Sequence, residues 1–399
     1  MNFYILSLVK TGLLAFVLLT FCAYLVWIER KVLAHIQLRP GPYRVGPHGL
    51  LQPLSDLIKL VTKEGLIPGN VSTGLYLFAP FLAVALALVS IVTIPFGPEF
   101  EIFGVRTWLG LTDLNIGVLF ILAMSSLGVY ATAIGGWASN SKYALLGGLR
   151  SSAQMISYEL PLALAIVAPI LIANTLSFKE LTEAQSGFHF GFLPKWHIFA
   201  APFPQIFSFL IFLVAAFAET NRVPFDLPEA ETELVAGFHT EYTSTMFAAF
   251  FTAEYANIVT ICCVTTLLFL GGWHPLFPSA YGSDYIPVIL LLGVAGMFFF
   301  HAGQTIKTRR WDRFSFPVGG VLSLGLAGLF LIPMLQPILV PFFWFAAKTL
   351  LLIFVFIWVR GTLPRFRYDQ LMRFAWTFLF PVAVVNLLIT AFAVALTSK

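Results

Sequence analysis

Long apolar runs recur along the whole chain, and they constrain its fold more than any other feature. Hydrophobic residues make up 59% of the sequence and charged residues only 11%, whereas roughly a quarter of residues are charged in soluble domains. Runs of about 18 or more apolar residues are long enough to cross a bilayer as helices. The sequence therefore predicts an all-α, polytopic integral membrane bundle that forms a single membrane domain over residues 1–399.

Ten apolar segments are predicted to cross the membrane, which places both termini on the same side. They cover residues 3–28, 74–95, 114–135, 155–174, 203–219, 246–271, 285–301, 317–336, 341–359 and 374–396. The fourth is the least regular, because it contains Pro161 and Pro169 and proline interrupts a helix. The first segment is predicted to be a retained span rather than a signal peptide, since no A-x-A cleavage site follows it.

Lysine and arginine are distributed unevenly between the loops, and this asymmetry predicts the orientation. Segments 29–73, 136–154, 220–245, 302–316 and 360–373 contain 17 of the 23 basic residues. Basic residues are enriched in cytoplasmic loops. These five segments are therefore predicted to face the cytoplasm, with both termini on the opposite side. The net charge of +4 follows from this topology and does not indicate nucleic-acid binding.

The first cytoplasmic segment is predicted to contain an amphipathic helix. Its Pro/Gly-rich opening disfavours regular structure, but from Leu50 onward one face is apolar and the other charged. The apolar face comprises Leu50, Leu54, Leu57, Ile58 and Val61, and the charged face comprises Asp56, Lys59 and Lys63. Such a helix lies in the membrane interface. A surface helix packed on another subunit has the same pattern, and the two interpretations are compatible.

The segment AETNRVPFDLPEAETELVAGFHTEY, residues 218–242, concentrates six of the 19 acidic residues between two apolar runs. These acids are Glu219, Asp226, Glu229, Glu231, Glu233 and Glu241, accompanied by Arg222. Asp226 before Pro228 predicts the start of a short helix over 228–236, with Gly237 at its end. Acids at 229 and 233 then share one face, where like charges repel. The segment is therefore predicted to be an ordered acidic cluster with Arg222 as its only local counter-charge.

Several ionisable residues are predicted to lie within the membrane. Glu254 is well inside its span, where an ionisable group is costly and by default suggests function. A structural carboxyl group that hydrogen-bonds a neighbouring helix is the alternative. Glu29, Glu159 and Glu219 lie near span ends and could be interfacial anchors, but with Glu254 they suggest a shared cytoplasmic chamber. Lys348, which is also within a span, requires a partner or must reach the surface with its ammonium group.

Neither a metal site nor the site of a soluble enzyme is apparent. The three cysteines, Cys22, Cys262 and Cys263, lie in apolar runs without ligand spacing, so we expect no metal, cluster or disulfide framework. The nucleotide-binding, G-x-S-x-G and H-E-x-x-H motifs are missing from the sequence. Any redox cofactor is therefore expected to belong to a partner.

Four long segments of the chain occur in a characteristic order: ERKVLAHIQLRPGPYRVGPHGLLQPLSDLIKLVTKE, GWASNSKYALLGGLRSSAQMISYE, AETNRVPFDLPEAETELVAGFHTEY and FIWVRGTLPRFRYDQLM. Together they resemble the H subunit of proton-pumping NADH:quinone oxidoreductase, respiratory complex I. The usual family core has eight spans. Residues 285–340 are therefore predicted to be an additional hairpin of two spans, next to the family core at 74–284 and 341–399 and to the first span and amphipathic helix at 1–73.

The resemblance implies a subunit that helps to form the quinone chamber and couples quinone reduction to proton translocation. It implies proton-coupling roles for Glu159, Glu219, Asp226, Glu229, Glu231, Glu233, Glu241 and Glu254, and chamber positions for Glu29, Arg30, Arg39, Asp56, Arg222 and Phe225. Quinone is then the substrate, while NADH, FMN and iron–sulfur clusters belong to partner subunits. The implied partners are hydrophilic quinone-module subunits, small membrane subunits, antiporter-like subunits and lipid.

The resemblance also implies a location in the bacterial inner membrane, so the charge asymmetry predicts periplasmic termini. Two other functions remain open from the sequence. One is a membrane anchor of a related hydrogenase-type complex, which would share the core but need no quinone. The other is a stand-alone ion transporter that uses Glu254 and Lys348, although the inverted internal repeat typical of such carriers is not evident.

Overall fold

The computed structural model describes residues 2–102, 105–199, 203–226, 236–305 and 310–397. This part of the chain is a helical bundle. Its α-helices are α1 (Asn2–Ile36), α2 (Gln52–Thr62), α3 (Thr73–Ser90), α4 (Gly117–Ala138), α5 (Lys142–Ala173), α6 (Phe178–Ala184), α7 (Ile206–Glu219), α8 (Ser244–Phe269), α9 (Ile286–Thr305), α10 (Arg310–Phe330), α11 (Gln336–Thr362), α12 (Tyr368–Phe374) and α13 (Phe380–Thr397).

Short elements complete the described chain. A π-helical turn, Ala375–Leu379, joins α12 to α13, and 3₁₀ turns lie at Pro47–Gly49, Ile91–Thr93, Gly237–His239, Ser279–Tyr281 and Ser283–Tyr285. Two antiparallel ribbons pair β1 (Glu99–Ile102) with β2 (Val105–Trp108) and β3 (Phe188–His189) with β4 (Leu193–Pro194). The two loops that carry these ribbons meet at one end of the bundle, where Glu99 of β1 forms a 2.7 Å ion pair with Lys179 of α6, the helix that precedes β3.

The predicted polytopic helical membrane fold is confirmed. Within the described residues, eight helical segments are long and apolar enough to cross a membrane, and two shorter apolar helices cover Ile206–Glu219 and Phe314–Phe330. Each of the ten predicted spans overlaps one of these segments. At 14 residues, α7 is shorter than a full span, and this has a consequence for the site.

The predicted extent of the fourth span was wrong. The sequence predicts a span over 155–174, but α5 is one continuous helix of 32 residues that contains both Pro161 and Pro169. Proline within a membrane helix is tolerated where neighbouring groups compensate for the lost backbone hydrogen bond. Both prolines are buried against neighbouring helices, so packing holds the helix together across them.

Five helices form a closed ring. Helices α3, α4, α5, α7 and α8 each pack against the next, and α8 packs back on α3. The opposite face of α8 packs against α1 and α11. Helix α8 is therefore central, and it is buried along most of its length, with Cys262, Leu267 and Phe269 fully enclosed. Its two faces therefore border two different groups of helices.

The predicted hairpin of residues 285–340 is represented by α9 and α10, which pack mainly against each other. The hairpin contacts the rest of the chain chiefly at the Pro47–Gly49 turn, where the rings of His48 and Phe316 lie 5.0 Å apart. Residues 306–309, within the predicted cytoplasmic segment 302–316 of this hairpin, lie outside the described residues.

The amphipathic helix predicted after Leu50 corresponds to α2. All five apolar residues of its predicted face are exposed, with fractional exposures from 41% at Leu50 to 61% at Val61. The other side is attached to the bundle, because the Ser244 hydroxyl donates hydrogen bonds to the carbonyls of Leu60 and Lys63. Helix α2 thus lies fixed on the bundle with its apolar face outward, as an interfacial or partner-binding helix requires.

Candidate functional site

The five-helix ring encloses a cavity of about 100 Å³. Its polar lining residues are Ser90, Ser125, Thr132, Glu219, Thr220, Asn221, Glu254, Asn257 and Thr260. Glu219 and Glu254 approach it from different helices, α7 and α8. An internal cavity with several polar groups has room and partners for ordered water, so these two carboxyl groups share a compartment inside the membrane bundle.

The depth of Glu219 follows from the length of α7. This helix has 14 residues, and at 1.5 Å per residue it extends about 21 Å, whereas the hydrocarbon core of a bilayer is about 30 Å thick. Helix α7 therefore ends before it completes a crossing. Glu219, its last residue, and the acidic segment that follows begin inside the bundle rather than at its surface.

Two serine side chains of α4 form hydrogen bonds to two of the carboxyl groups. Ser125 hydrogen-bonds Glu219, and the neighbouring Ser126 hydrogen-bonds Glu159 of α5. A hydroxyl can donate to a carboxylate or accept from a protonated carboxyl group. Each serine can therefore stay hydrogen-bonded when its acid gains or loses a proton.

Glu254 has a histidine partner. Its Oε1 lies 3.4 Å from Nε2 of His239, and the His239 side chain is only 5% exposed. His239 belongs to the Gly237–His239 turn, which closes the acidic segment on its α8 side. The sequence alone does not single out this histidine, although its position 15 residues before Glu254 makes a contact possible through the intervening turn.

A buried glutamine holds the start of the acidic segment in place. The side-chain amide of Gln154 on α5 donates hydrogen bonds of 2.8 Å to the carbonyls of Ala218 and Phe225. Asn221 is attached to the same helix through a 3.3 Å hydrogen bond to Ser151. These contacts order residues 218–226, and no sequence pattern indicates them because Gln154 lies more than 60 positions away.

A second cluster of charges lies on the opposite face of α8. Glu29 of α1 accepts a 2.6 Å hydrogen bond from the Tyr255 hydroxyl, lies 3.6 Å from Arg222 and contacts Arg360 of α11. The Arg222 guanidinium lies 4.3 Å from the centre of the Tyr255 ring. Glu29, Arg222, Tyr255 and Arg360 line a second, small cavity of about 20 Å³. We call this group the Glu29 cluster.

The prediction that Arg222 is the only counter-charge near the acidic segment was wrong. Asp226 forms a 2.9 Å ion pair with Arg365, and Arg222 itself faces Glu29 from the first span. The end of α11 and the loop after it thus bring Arg360 and Arg365 to this region from the distant segment FIWVRGTLPRF. Sequence distance hides these pairs, because the prediction considered only charges within the acidic segment.

The structure separates the carboxylates that the sequence predicts in one chamber. Glu159, Glu219 and Glu254 lie at or next to the large cavity, whereas Glu29 lies in the cluster on the other face of α8. Helix α8 separates the two, with Glu254 on one face and the adjacent Tyr255 on the other. Two consecutive residues of α8 therefore line the two different cavities.

The remaining predicted site residues lie elsewhere or beyond the described chain. Arg30 and Asp56 form an exposed 2.9 Å ion pair that joins α1 to α2, and Arg39 is exposed nearby. Phe225 is buried between the rings of Tyr158 and Phe366. Glu241 accepts a hydrogen bond from Tyr76 through its backbone carbonyl. Glu229, Glu231 and Glu233, with the helix predicted over 228–236, fall largely or wholly in residues 227–235, outside the described chain.

Lys348 donates its hydrogen bonds to backbone carbonyls rather than to carboxylates. Its Nζ donates to the backbone carbonyls of Leu270, Gly272 and His274, at 2.6, 2.9 and 2.6 Å, and lies 4.2 Å from the centre of the Trp196 ring. The ammonium thus caps the C-terminal end of α8, where the helix dipole favours a cation. Burial, and secondly the charge of Lys348, lower the pKa of His274 to about 4, so this histidine is neutral at pH 7.

The described side chains contain no group of three His, Cys, Asp or Glu residues that could hold a metal ion. The three cysteines are buried and unpaired with one another by disulfides. The functional groups of the described site are therefore carboxyl, hydroxyl and guanidinium groups held inside a helical bundle.

The fold and these sites define a class: polytopic helical membrane proteins with ionisable residues buried between their helices, an arrangement associated with proton and ion pathways. Comparison with known proteins gives the family. The NADH dehydrogenase family model matches residues 9–391. The H subunit numbered 1 of the NADH-quinone oxidoreductase of Solibacter usitatus (strain Ellin6076) is 61% identical over 398 residues, which cover 100% of this chain and 99% of the relative.

Two further relatives agree. The H subunit numbered 2 of the NADH-quinone oxidoreductase of Koribacter versatilis (strain Ellin345) is 47% identical over 404 residues, covering 99% of this chain and 98% of the relative. The H subunit numbered 1 of the Geobacter metallireducens enzyme is 43% identical over 391 residues, covering 98% and 97%. The chain belongs to the family of H subunits of NADH-quinone oxidoreductase, which confirms the resemblance carried by its four motifs.

Proposed function

We propose that this chain helps to form the quinone chamber of a proton-translocating NADH:quinone oxidoreductase and couples quinone reduction to proton movement. The observation that carries the proposal is the pair of ionisable compartments on opposite faces of α8. The Glu29 cluster, with Arg222 and Arg360, lies on one face, and the cavity with Glu219 and Glu254 lies on the other. Adjacent residues of α8, Glu254 and Tyr255, belong to the two compartments.

Electrostatics supplies the link between them. Reduction of a quinone to a quinol takes up two electrons and two protons, so charge changes near the Glu29 cluster during turnover. Charges a few ångströms apart in a partly dry site interact by several kcal/mol, and groups coupled this strongly titrate together. A change in charge or position at the Glu29 cluster therefore changes the proton affinity of the carboxyl groups across α8.

The proposal includes partners, cofactors and location. Hydrophilic quinone-module subunits would dock on the cytoplasmic face, where residues 29–73 and 220–245 are predicted to lie, and would carry FMN and the iron–sulfur clusters that oxidise NADH. Small membrane subunits and antiporter-like subunits would receive the proton signal within the bilayer. We place the complex in the bacterial inner membrane, with the termini of this chain in the periplasm. The exposed apolar face of α2 supports this arrangement, because it needs lipid or a partner to cover it.

The decisive variant is Glu254→Gln, which keeps the shape of the side chain but cannot release a proton. In the complete complex, reconstituted in liposomes, we expect coupled quinone reductase activity to fall about tenfold or more, since positioned proton-transfer groups contribute at least that factor. Glu183→Gln is the matched control, because Glu183 is an exposed carboxylate outside both compartments.

Blue-native electrophoresis and flavin content would show that each variant complex is assembled. Full proton pumping and full quinone reduction in assembled Glu254→Gln would contradict the proposal. Purification of the native complex without flavin or iron–sulfur subunits would contradict it independently, and would favour the stand-alone transporter. Partners with a hydrogen-activating metal centre would favour the hydrogenase-type anchor.

A further inference from the structure

The turn of the β3–β4 ribbon carries two exposed phenylalanine side chains. Phe190 is 90% exposed and Phe192 is 65% exposed, and they flank Gly191 in the loop between the two strands. Isolated apolar side chains are common on protein surfaces. Two exposed aromatic rings within one three-residue loop instead form an apolar tip, which the part of the chain that the structure describes leaves uncovered.

The backbone at this turn is unfavourable for phenylalanine. Phe190 has a φ of 53° and Gly191 a φ of 79°, and the Phe192 amide donates a 3.3 Å hydrogen bond to the His189 carbonyl. Glycine and asparagine adopt such positive φ angles readily, whereas for a bulky residue this conformation is an outlier. The turn would therefore favour asparagine at position 190, and the phenylalanine ring gains little burial within the described chain in return.

The ribbon is attached at the depth where the membrane ends. Helix α8 has 26 residues and extends about 39 Å at 1.5 Å per residue, close to the thickness of about 40–45 Å of a bilayer with its headgroups. Trp196, two residues after β4, lies 4.2 Å from the Lys348 ammonium that caps the C-terminal end of α8. Nδ1 of His197 lies 2.7 Å from the Leu268 carbonyl oxygen. The chain that leaves the ribbon is therefore fixed at the membrane surface on this side.

The surrounding sequence has the composition of a membrane-interface segment. Residues 184–218 contain no Asp or Glu, and their only Lys or Arg is Lys195, which is exposed directly after β4. Basic and aromatic side chains without acids are typical of segments that lie on bilayers. The β1–β2 ribbon differs, because β1 carries Glu99 and Glu101. The β3–β4 ribbon thus matches the chemistry of phospholipid headgroups, and the acidic β1 strand does not.

We propose that the β3–β4 ribbon is a membrane anchor that binds phospholipid. Phe190 and Phe192 lie at the boundary between headgroups and acyl chains, and the Lys195 ammonium contacts lipid phosphate. The bilayer supplies the burial that the folded chain does not give to the Phe190 ring, and this burial offsets the unfavourable backbone conformation. The anchor also fixes the segment that holds Trp196 over Lys348. It does not depend on the proton-coupling role proposed above.

Photo-cross-linking identifies what the Phe190 ring touches. p-Benzoylphenylalanine is introduced at position 190 of the complete complex by codon suppression, and the complex is irradiated in nanodiscs of phosphatidylethanolamine and phosphatidylglycerol. Mass spectrometry of the tryptic peptide over residues 180–195 should show adducts of phospholipid mass. The matched control has the same side chain at position 101, since Glu101 is exposed on β1 at the same end of the bundle, and it should give no lipid adduct.

Two results would overturn the anchor. A cross-link from position 190 to another subunit would assign the ribbon to a protein interface. The absence of any adduct at position 190, as at position 101, would place the ring in water.

The contribution of Lys195 is measured in the same experiment. We expect phosphatidylglycerol to be enriched among the adducts at position 190, because it is anionic, and Lys195→Gln should return its share to that in the nanodisc. Enrichment that persists in Lys195→Gln would overturn the assignment of lipid phosphate to this lysine.

Phe190→Asn tests the energetic argument, since asparagine adopts a positive φ more readily than phenylalanine. Without a partner for the ring outside the chain, this substitution would relieve the turn and raise the thermal midpoint of the complex in nanodiscs. We expect the midpoint to fall instead, because the variant loses its contact with the bilayer. An unchanged or raised midpoint would contradict the anchor. A lost contact with a protein subunit would also lower the midpoint, and the cross-linking product distinguishes that case.

Discussion

Lys348 shows how a single charge can be tolerated inside a membrane helix without an acid. Three backbone carbonyls accept its protons, and the Trp196 ring covers it. Substitution by methionine retains most of the side-chain volume but leaves the carbonyls of Leu270, Gly272 and His274 without this donor. Buried acceptors that lose their partner cost about 1–3 kcal/mol each, so we expect Lys348→Met to destabilise the far end of α8.

The measurement is the thermal midpoint of the assembled complex, together with the amount of this chain in membranes. Lys348→Met should lower both, and Phe354→Leu should lower neither, because Phe354 lies on the same helix but is exposed. Equal midpoints for the two variants would show that water replaces the ammonium without cost and that the cap has no structural role.

Individual site residues are easier to predict from sequence than their partners. Glu254, Glu219 and Glu159 stand out because an acid inside an apolar run is conspicuous, and the structure brings all three to one compartment. Gln154, Tyr255, His239, Arg360 and Arg365 do not stand out. The sequence does not mark the side chains that contact these acids, because the fold decides which distant residue lies next to each carboxyl group.

Helix α5 organises the site by holding the segment that follows α7. Its Gln154 bridges the carbonyls of Ala218 and Phe225, so the chain between Glu219 and Asp226 is attached to a helix at both ends. Gln154→Leu removes both donors with a similar side-chain volume. We expect faster amide hydrogen exchange over residues 218–226 and lower quinone reductase activity, because the segment presents Arg222 to Glu29.

Ser152→Ala is a suitable control on the same helix, since the Ser152 hydroxyl donates its hydrogen bond to the Gly148 carbonyl of its own helix. Exchange-mass spectrometry of the complete complex would follow the segment directly. Unchanged exchange over residues 218–226 in Gln154→Leu would show that packing alone orders them and that the glutamine is dispensable.

Element boundaries are less predictable than the elements themselves. Apolar composition locates every span, but Lys142 and Arg150 suggest a loop before the fourth span, so its predicted start lies at 155. The tertiary packing of α5 against α4 and α7 instead accompanies a helix that begins at Lys142. By contrast, α7 ends at Glu219 as predicted but begins at Ile206 rather than at 203, and its length of only 14 residues is what leaves Glu219 inside the bundle.

The molecule as a whole is arranged around α8. One side of this helix belongs to the five-helix ring, whose members follow one another along the chain, and the other side faces α1 and α11, which bring distant parts of the sequence to the Glu29 cluster. The division into a family core and an additional hairpin remains a prediction, but the relative from Solibacter usitatus aligns over 100% of this chain and thus includes the hairpin region. Contact between His48 and Phe316 attaches that hairpin beside the loop that precedes α2.

The orientation of the chain is the last prediction, and the native cysteines make it measurable. Cys22, Cys262 and Cys263 are buried in spans, so a bulky membrane-impermeant maleimide should leave them unlabelled. Lys142 and Lys195 are exposed at opposite ends of the bundle, and the excess of basic residues on the Lys142 side predicts that this side is cytoplasmic. Lys195→Cys should therefore be labelled in intact cells with a permeabilised outer membrane, and Lys142→Cys only in inside-out vesicles. The reverse pattern would place the termini in the cytoplasm, because an even number of spans moves both termini together, and the acidic segment would then face away from any cytoplasmic NADH-oxidising arm.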